Sequence, residues 1–226
     1  MPNSSNPAFK PLDLSMPETK PSSQTVHMPD VPAAEMLTIS SGSILPERTE
    51  FFGSSTALRK ICYVVDCSGS MHGLFGRVRE ELNSSVQDLQ QDQYFNIIFF
   101  RNGQLLELTD GRLMRATPKA KSAAIKFINQ VQPGGTTNPL DALKRAMQLH
   151  DGTGKAPQLI YFLTDGLDFE QRADGTRRFP LLVETLRKTL APATRINTIG
   201  FWAEYNDQKI LQTVAKHSGG EFVNAD

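Results

Sequence analysis

Ile61-Cys62-Tyr63-Val64-Val65-Asp66-Cys67-Ser68-Gly69-Ser70-Met71 is the stretch that decides the fold of this chain. Its first five residues are apolar and β-favouring without a break, where a strand with one wet face would alternate. The run therefore reads as a strand buried on both faces, as in parallel sheets sandwiched between helices. Phe95 to Phe100, Leu159 to Leu163 and Ile196 to Phe201 repeat the type, and weaker strands are predicted at Leu105 to Leu108 and Glu221 to Val223. Between these runs the apolar period becomes helical. Val78, Leu82, Val86 and Leu89 form one stripe, and Ala120, Ala123, Ala124, Phe127, Ile128 and Val131 a second. Leu182, Leu186 and Leu190 mark a third helix, and Ile210, Leu211, Val214 and Ala215 a fourth, closed by Gly219-Gly220. Asn138-Pro139 predicts a helix start, Asn as N-cap and Pro in the first turn, leading into Leu140, Leu143 and Met147. The order β-α-β-β-α-α-β-α-β-α-β predicts an α/β fold: a doubly wound, mostly parallel six-stranded sheet with helices on both faces, Rossmann-like in layout.

The composition before this pattern is different. Eight of the 14 prolines fall in the first 50 residues, where Phe9 is the only aromatic and acidic side chains outnumber basic ones six to three. Such a stretch buries too little apolar surface to offset its ordering entropy. Residues 1–46 are predicted to be a flexible, mildly acidic Pro/Ser-rich tail or linker, and residues 47–226 the folded domain. Over the whole chain 24 Lys and Arg balance 24 Asp and Glu. No global basic field exists to hold nucleic acid or an anionic membrane surface. No apolar run is long enough for membrane insertion, and the amino terminus lacks the features of a signal peptide. The chain alone reads as cytoplasmic, or as membrane-anchored or periplasmic if an upstream anchor has been removed. Cys62 and Cys67 are five positions apart in extended chain, too far for a disulfide, and no His or Cys cluster accompanies them. They read as a packed Cys62 and a loop Cys67, and the four histidines as surface or tail residues.

In a doubly wound sheet ligands collect beyond the carboxyl ends of the strands, where strand order reverses. The first strand runs into Asp66, followed at +2 and +4 by the hydroxyls of Ser68 and Ser70 in a glycine-containing turn. A later strand ends in Thr164-Asp165-Gly166, and Gly134-Gly135-Thr136-Thr137-Asn138-Pro139 places hydroxyls just before a helix. Two carboxylates and three hydroxyls form an all-oxygen set suited to a hard cation. The modest carboxylate count suits Mg²⁺.

Asp66-x-Ser68-x-Ser70, a threonine in a Gly-rich turn, and Thr164-Asp165-Gly166 together resemble the metal-ion-dependent adhesion site of von Willebrand factor A domains. The resemblance covers about residues 59 to 226, with the motifs in the family's order. It implies direct metal ligation by Ser68, Ser70 and the turn threonine, with Asp66 and Asp165 acting largely through water. The threonine is assigned to Thr137, because Thr-Asn followed at +5 and +6 by Ala142-Leu143 is similar to the family pattern; Thr136 is the alternative. Two features depart from that pattern. Cys67 adds a thiol inside the first motif, and the chain stops at the last strand where many relatives add a closing helix, which would either leave one sheet face open or mean that the chain is trimmed. The Phe51-Phe52-Gly53 lead-in and the first motif also resemble bacterial members with a Pro-rich linker behind a membrane anchor.

Enzyme readings fit the same residues poorly. A phosphatase using Asp66 as nucleophile wants Asp where Ser68 stands, and a Cys-x₅-Arg loop wants Arg where Gly73 stands. The nucleophile elbow and the phosphate-binding loop are both missing. The sequence therefore predicts a binding module, not an enzyme. Mg²⁺, or Mn²⁺ or Ca²⁺ on the same oxygens, would recruit an exposed Asp or Glu of a protein partner, and Asp168, Phe169 and Trp202 would form the partner-binding rim. The alternative is a metal-assisted hydrolase acting on a phosphoester.

Overall fold

The computed structural model describes residues 48–101, 103–167 and 175–225; the tail assigned to residues 1–46 lies outside them. In chain order the elements are β1 (Thr49–Phe51), β2 (Ser54–Thr56), β3 (Lys60–Asp66), a 3₁₀ turn (Ser70–Gly73), α1 (Phe75–Asp88), β4 (Tyr94–Arg101), β5 (Gln104–Glu107) and β6 (Met114–Arg115). There follow α2 (Pro118–Gln130), α3 (Pro139–Gln148), β7 (Leu159–Thr164), α4 (Gly175–Leu190), β8 (Arg195–Phe201), α5 (Tyr205–Ser218) and β9 (Phe222–Ala225). The main sheet has the order β5-β4-β3-β7-β8-β9, with the two-residue β6 also on β4. β3, β4, β7, β8 and β9 run parallel, while β5 and β6 pair antiparallel with β4. The six predicted strands are all present, and β6 is an addition too short to show a period.

The continuous apolar runs are explained by two cores. Successive residues of a strand face opposite ways, so Ile61, Tyr63 and Val65 belong to the core that α1 and α2 cover, while Cys62 and Val64 belong to the core that α3, α4 and α5 cover. All five side chains are fully buried. Val78, Leu82, Val86 and Leu89 are buried as the stripe required. In α2 the buried face is Ala120, Ala124 and Ile128, capped by the Thr117 hydroxyl accepting from Ala120 N–H at 3.2 Å; Ala123 is exposed. α4 differs more. Its buried face carries Phe179 and Val183, whereas Leu182 is 43% exposed. The Leu182-Leu186-Leu190 spacing is helical, and Leu186 and Leu190 pack partly buried against the same core, while the predicted first member of the stripe turns outward. α3 starts at Pro139 as predicted, yet Asn138 makes no cap bond to the helix; its amide donates to Asp141 Oδ2 at 2.8 Å.

One face of β3, β7 and β8 is covered by the β1–β2 hairpin, where the sequence led us to expect an open face. Phe51 is fully buried, with ring centroids 5.3 Å from Tyr63 and 5.5 Å from Tyr161. Phe52 packs on Phe201 at 5.2 Å. The hairpin turn places Phe52 at φ 49° and Gly53 at φ 77°, the left-handed pair that a tight two-residue turn between twisted strands requires. Tyr161 hydroxyl donates to the Ser54 carbonyl at 3.0 Å, and Asn197 amide to Ser54 Oγ at 2.8 Å. Among the described residues no helix is long and apolar enough to cross a membrane.

This topology positions the site. The chain leaves β3 toward β4 on one side and leaves β7 toward β8 on the other, so the order reverses between β3 and β7. The crevice lies at their carboxyl ends, where Asp66 and Thr164 are the last residues.

Candidate metal centre

Asp66 is fully buried at the end of β3. Its Oδ1 accepts the Ser68 backbone N–H at 2.8 Å, the Asx-type turn that an Asp two residues before a serine favours. Its Oδ2 is 2.6 Å from the Thr164 hydroxyl, which also lies 2.6 Å from the Gly166 carbonyl and accepts the Gly166 N–H at 3.2 Å. Thr164 thereby clamps the carboxylate to the Asp165-Gly166 turn on the neighbouring strand. It is fully buried. The sequence reading named Thr164 only as part of a motif, and spacing alone does not reveal that a hydroxyl on one strand end will seat a carboxylate on the next.

Burial lifts the Asp66 carboxyl from 3.8 to about 6, against the opposing effect of hydrogen bonds from Thr164 and Ser68, and the negative charge of Asp165 adds to the rise. A buried carboxylate held by hydroxyl and amide donors beside a second carboxylate is a place where a cation is electrostatically favoured.

Two serine hydroxyls stand close together just after this carboxylate. Ser68 is 2% exposed and Ser70 is exposed, and their Oγ atoms lie 3.0 Å apart. The loop carrying them is joined to the Gly134-Gly135 turn by two backbone bonds, Gly134 N–H to Cys67 carbonyl and Gly69 N–H to Gly135 carbonyl, each 2.9 Å. A Cβ on Gly69 would stand 3.3 Å from the Gly135 carbonyl oxygen, so the two loops would have to part by a few tenths of an ångström, and Gly135 itself has φ 80°, a backbone conformation that favours glycine. Thr136 and Thr137 follow directly, Thr136 exposed and Thr137 half-buried. Arg101 fixes the turn from the other side by donating to the Gln132 carbonyl.

Cys67 follows β3 as the expected loop residue, and it is buried. Its Sγ lies 3.4 Å from the Phe100 carbonyl, and burial pushes its thiol up to about 12. Cys62 is likewise free and buried. Among the described residues no three His, Cys, Asp or Glu side chains gather into a metal cluster, so the oxygen set of Asp66, Ser68, Ser70, Asp165 and the turn threonine is the arrangement to weigh. Two hydroxyls 3.0 Å apart over a buried carboxylate fit a small hard cation that retains water. Of the predicted rim, Trp202 is 60% exposed just after β8, while Asp168 and Phe169 lie outside the described residues.

Gly69→Ala is expected to cost about 1 kcal/mol in denaturant unfolding, because the two loops must part by a few tenths of an ångström. The same substitution should weaken Mg²⁺ binding in calorimetry more than it weakens the fold, since Ser68 and Ser70 flank the shifted peptide. Unaltered Mg²⁺ affinity would show that the inter-loop bonds do not shape the site.

Comparison with known proteins agrees with this architecture. Residues 59–223 match the family model described as von Willebrand factor type A domain. The chain is 29% identical to bovine (Bos taurus) inter-alpha-trypsin inhibitor heavy chain H3 over 170 residues, which is 72% of this chain and 18% of the relative. It is 33% identical to human (Homo sapiens) heavy chain H4 over 144 residues, 57% of this chain and 15% of the relative. The chain thus spans less than a fifth of the length of these curated relatives. Among solved structures it resembles a von Willebrand factor type A protein from Catenulispora acidiphila, at TM-score 0.61 and 19% identity, covering 76% of this chain and 40% of that one. It also resembles the pilus adhesin SpaC from Lactobacillus rhamnosus GG, at TM-score 0.55 and 17% identity, covering 74% and 28%. Because that family match spans well over half of the sequence, the chain belongs to the von Willebrand factor type A domain family.

Proposed function

We propose that the chain is a divalent-cation-dependent protein-binding module in which Mg²⁺, or Mn²⁺ or Ca²⁺ on the same oxygens, recruits an exposed Asp or Glu of a partner. The observation that carries this reading is the Ser68–Ser70 hydroxyl pair, 3.0 Å apart at the rim of the crevice above buried Asp66. Neutral hydroxyls as direct ligands would leave a bound cation electrophilic, so that it attracts an outside carboxylate. Ser68, Ser70 and Thr137 would hold the ion, and Asp66 and Asp165 would supply the negative charge behind it. The names of the relatives, an adhesin among them, fit a binding role. Turnover forms no part of the proposal.

The test is capture of partners from the native source on the immobilised chain, in Mg²⁺ and in excess chelator. Partners should be lost with chelator and should fail in parallel when their acidic residue becomes Gln. Thr137→Val keeps the side-chain shape and removes the hydroxyl, so partner affinity should fall on the order of tenfold or more with little change in melting temperature. An identical set of partners at equal affinity in both conditions would refute metal-bridged recognition.

A further inference from the structure

Among the described residues the exposed large apolar side chains are Leu181 and Leu182 on α4, Trp202 just after β8 and Tyr205 at the start of α5. The two aromatic ones follow the carboxyl end of β8, at the same edge of the sheet as the end of β3. Trp202 is the only tryptophan of the chain, and its backbone sits at φ 56°. That left-handed conformation carries a steric cost for any residue with a Cβ, and it favours glycine. The usual repayment is burial. Here Phe201 and Ala203 on either side are 0% and 7% exposed, while Trp202 is 60% exposed. Its backbone N–H donates to the Ala225 carbonyl at 3.0 Å, a bond that any residue could make. Folding therefore gains little from an indole at this position. Tyr205 is 69% exposed, and its ring is covered on one side by the Lys209 ammonium, 4.1 Å from the centroid. A cation there also favours an acidic occupant.

The sheet fixes where this aromatic pair stands. β8 is the second strand from β3, on the far side of β7, which places its end about 10 Å from that of β3 at roughly 4.8 Å per strand. Extended peptide covers that span in about three residues. Resting on the metal-bridged reading above, we infer that Trp202 and Tyr205 form the apolar half of a two-part recognition surface. Its occupant is a partner segment carrying a bulky apolar side chain about three residues from its acidic one. The acidic residue supplies dependence on the cation, and the spacing to the apolar residue supplies selectivity between partners.

The test pans a displayed library of random twelve-residue peptides on the full chain in Mg²⁺. Enriched peptides should carry Asp or Glu with an aromatic or branched aliphatic residue about three positions away, and their binding should change Trp202 fluorescence. Trp202→Gly suits the left-handed backbone, so its melting temperature should be unchanged or higher and its Mg²⁺ affinity unchanged, while affinity for the enriched peptides falls at least about tenfold. Peptides selected for the acid alone, or bound equally by Trp202→Gly, overturn the aromatic half and leave the metal reading standing. Peptides bound equally in chelator, or a library that yields no Mg²⁺-dependent binder, overturn both.

Discussion

Phe51→Ala should cost about 3–5 kcal/mol, the range for a large aromatic removed from a closed site, and lower the melting temperature by roughly 10 °C in a domain of this size. Phe51 lies in a three-residue strand, yet it is fully buried among Phe52, Tyr63 and Tyr161. The cavity it would leave is walled by the sheet and cannot collapse without moving β3 or β7. The hairpin is also pinned by polar bonds to Ser54, and by Thr49 Oγ1 donating to Gln93 Oε1 at 2.9 Å. A chain cut at residue 58, close to where the family match begins, would lose all of this and expose Tyr63 and Tyr161. It is expected not to fold, whereas one beginning at residue 47 should melt with the full chain. Melting curves by circular dichroism decide the matter. A Phe51→Ala loss below about 1 kcal/mol would mean that the hairpin merely rests on the sheet.

The hairpin shows where reading the sequence stops being sufficient. The long strands were legible because five or six consecutive apolar residues have few other uses, and each is followed by the residues that form the crevice. A three-residue strand offers no period, and Phe51-Phe52-Gly53 was read only as a lead-in, so the covered face was expected to be open. α4 was legible as a helix but not in its orientation. Pro180 lies within it, and its most buried residues are Phe179 and Val183; of the three spaced leucines, Leu186 and Leu190 pack partly buried against the same core while Leu182 is exposed. At the site, Asp66, Ser68 and Ser70 were legible because their spacing forces them together within one turn. Thr164 was not, since its partner is 98 residues away in sequence and adjacent only through strand pairing.

The carboxylate that Thr164 seats leads to the second large effect. Folding raises the Asp66 carboxyl from 3.8 to about 6, chiefly by burial, so the folded state without a cation prefers the protonated form. Its contribution to stability is complete below about pH 4 and is lost as the pH rises through about 6. The displacement corresponds to about 3 kcal/mol. Asp66→Asn removes the charge and keeps the shape. Its amide oxygen can still accept the Ser68 N–H, and its NH₂ can donate to Thr164, whose own proton then goes to the Gly166 carbonyl. In chelator at pH 7.5 the variant should therefore be more stable than the wild type, by up to about 2 kcal/mol, and the wild type's loss of stability between pH 4 and 7 should flatten. Magnesium should reverse the ranking. A ligand at a hundred times its dissociation constant stabilises the form that binds it by about 2.7 kcal/mol, and because the ligand set must be deprotonated, that gain should grow as the pH rises through about 6. Asp66→Asn should show no gain at all. Urea titrations at pH 4.5, 6 and 7.5, with Mg²⁺ and with chelator, separate these terms. If the variant is less stable than the wild type in chelator at pH 7.5, then Asp66 serves the fold and not a cation, and the metal-bridged function falls with it.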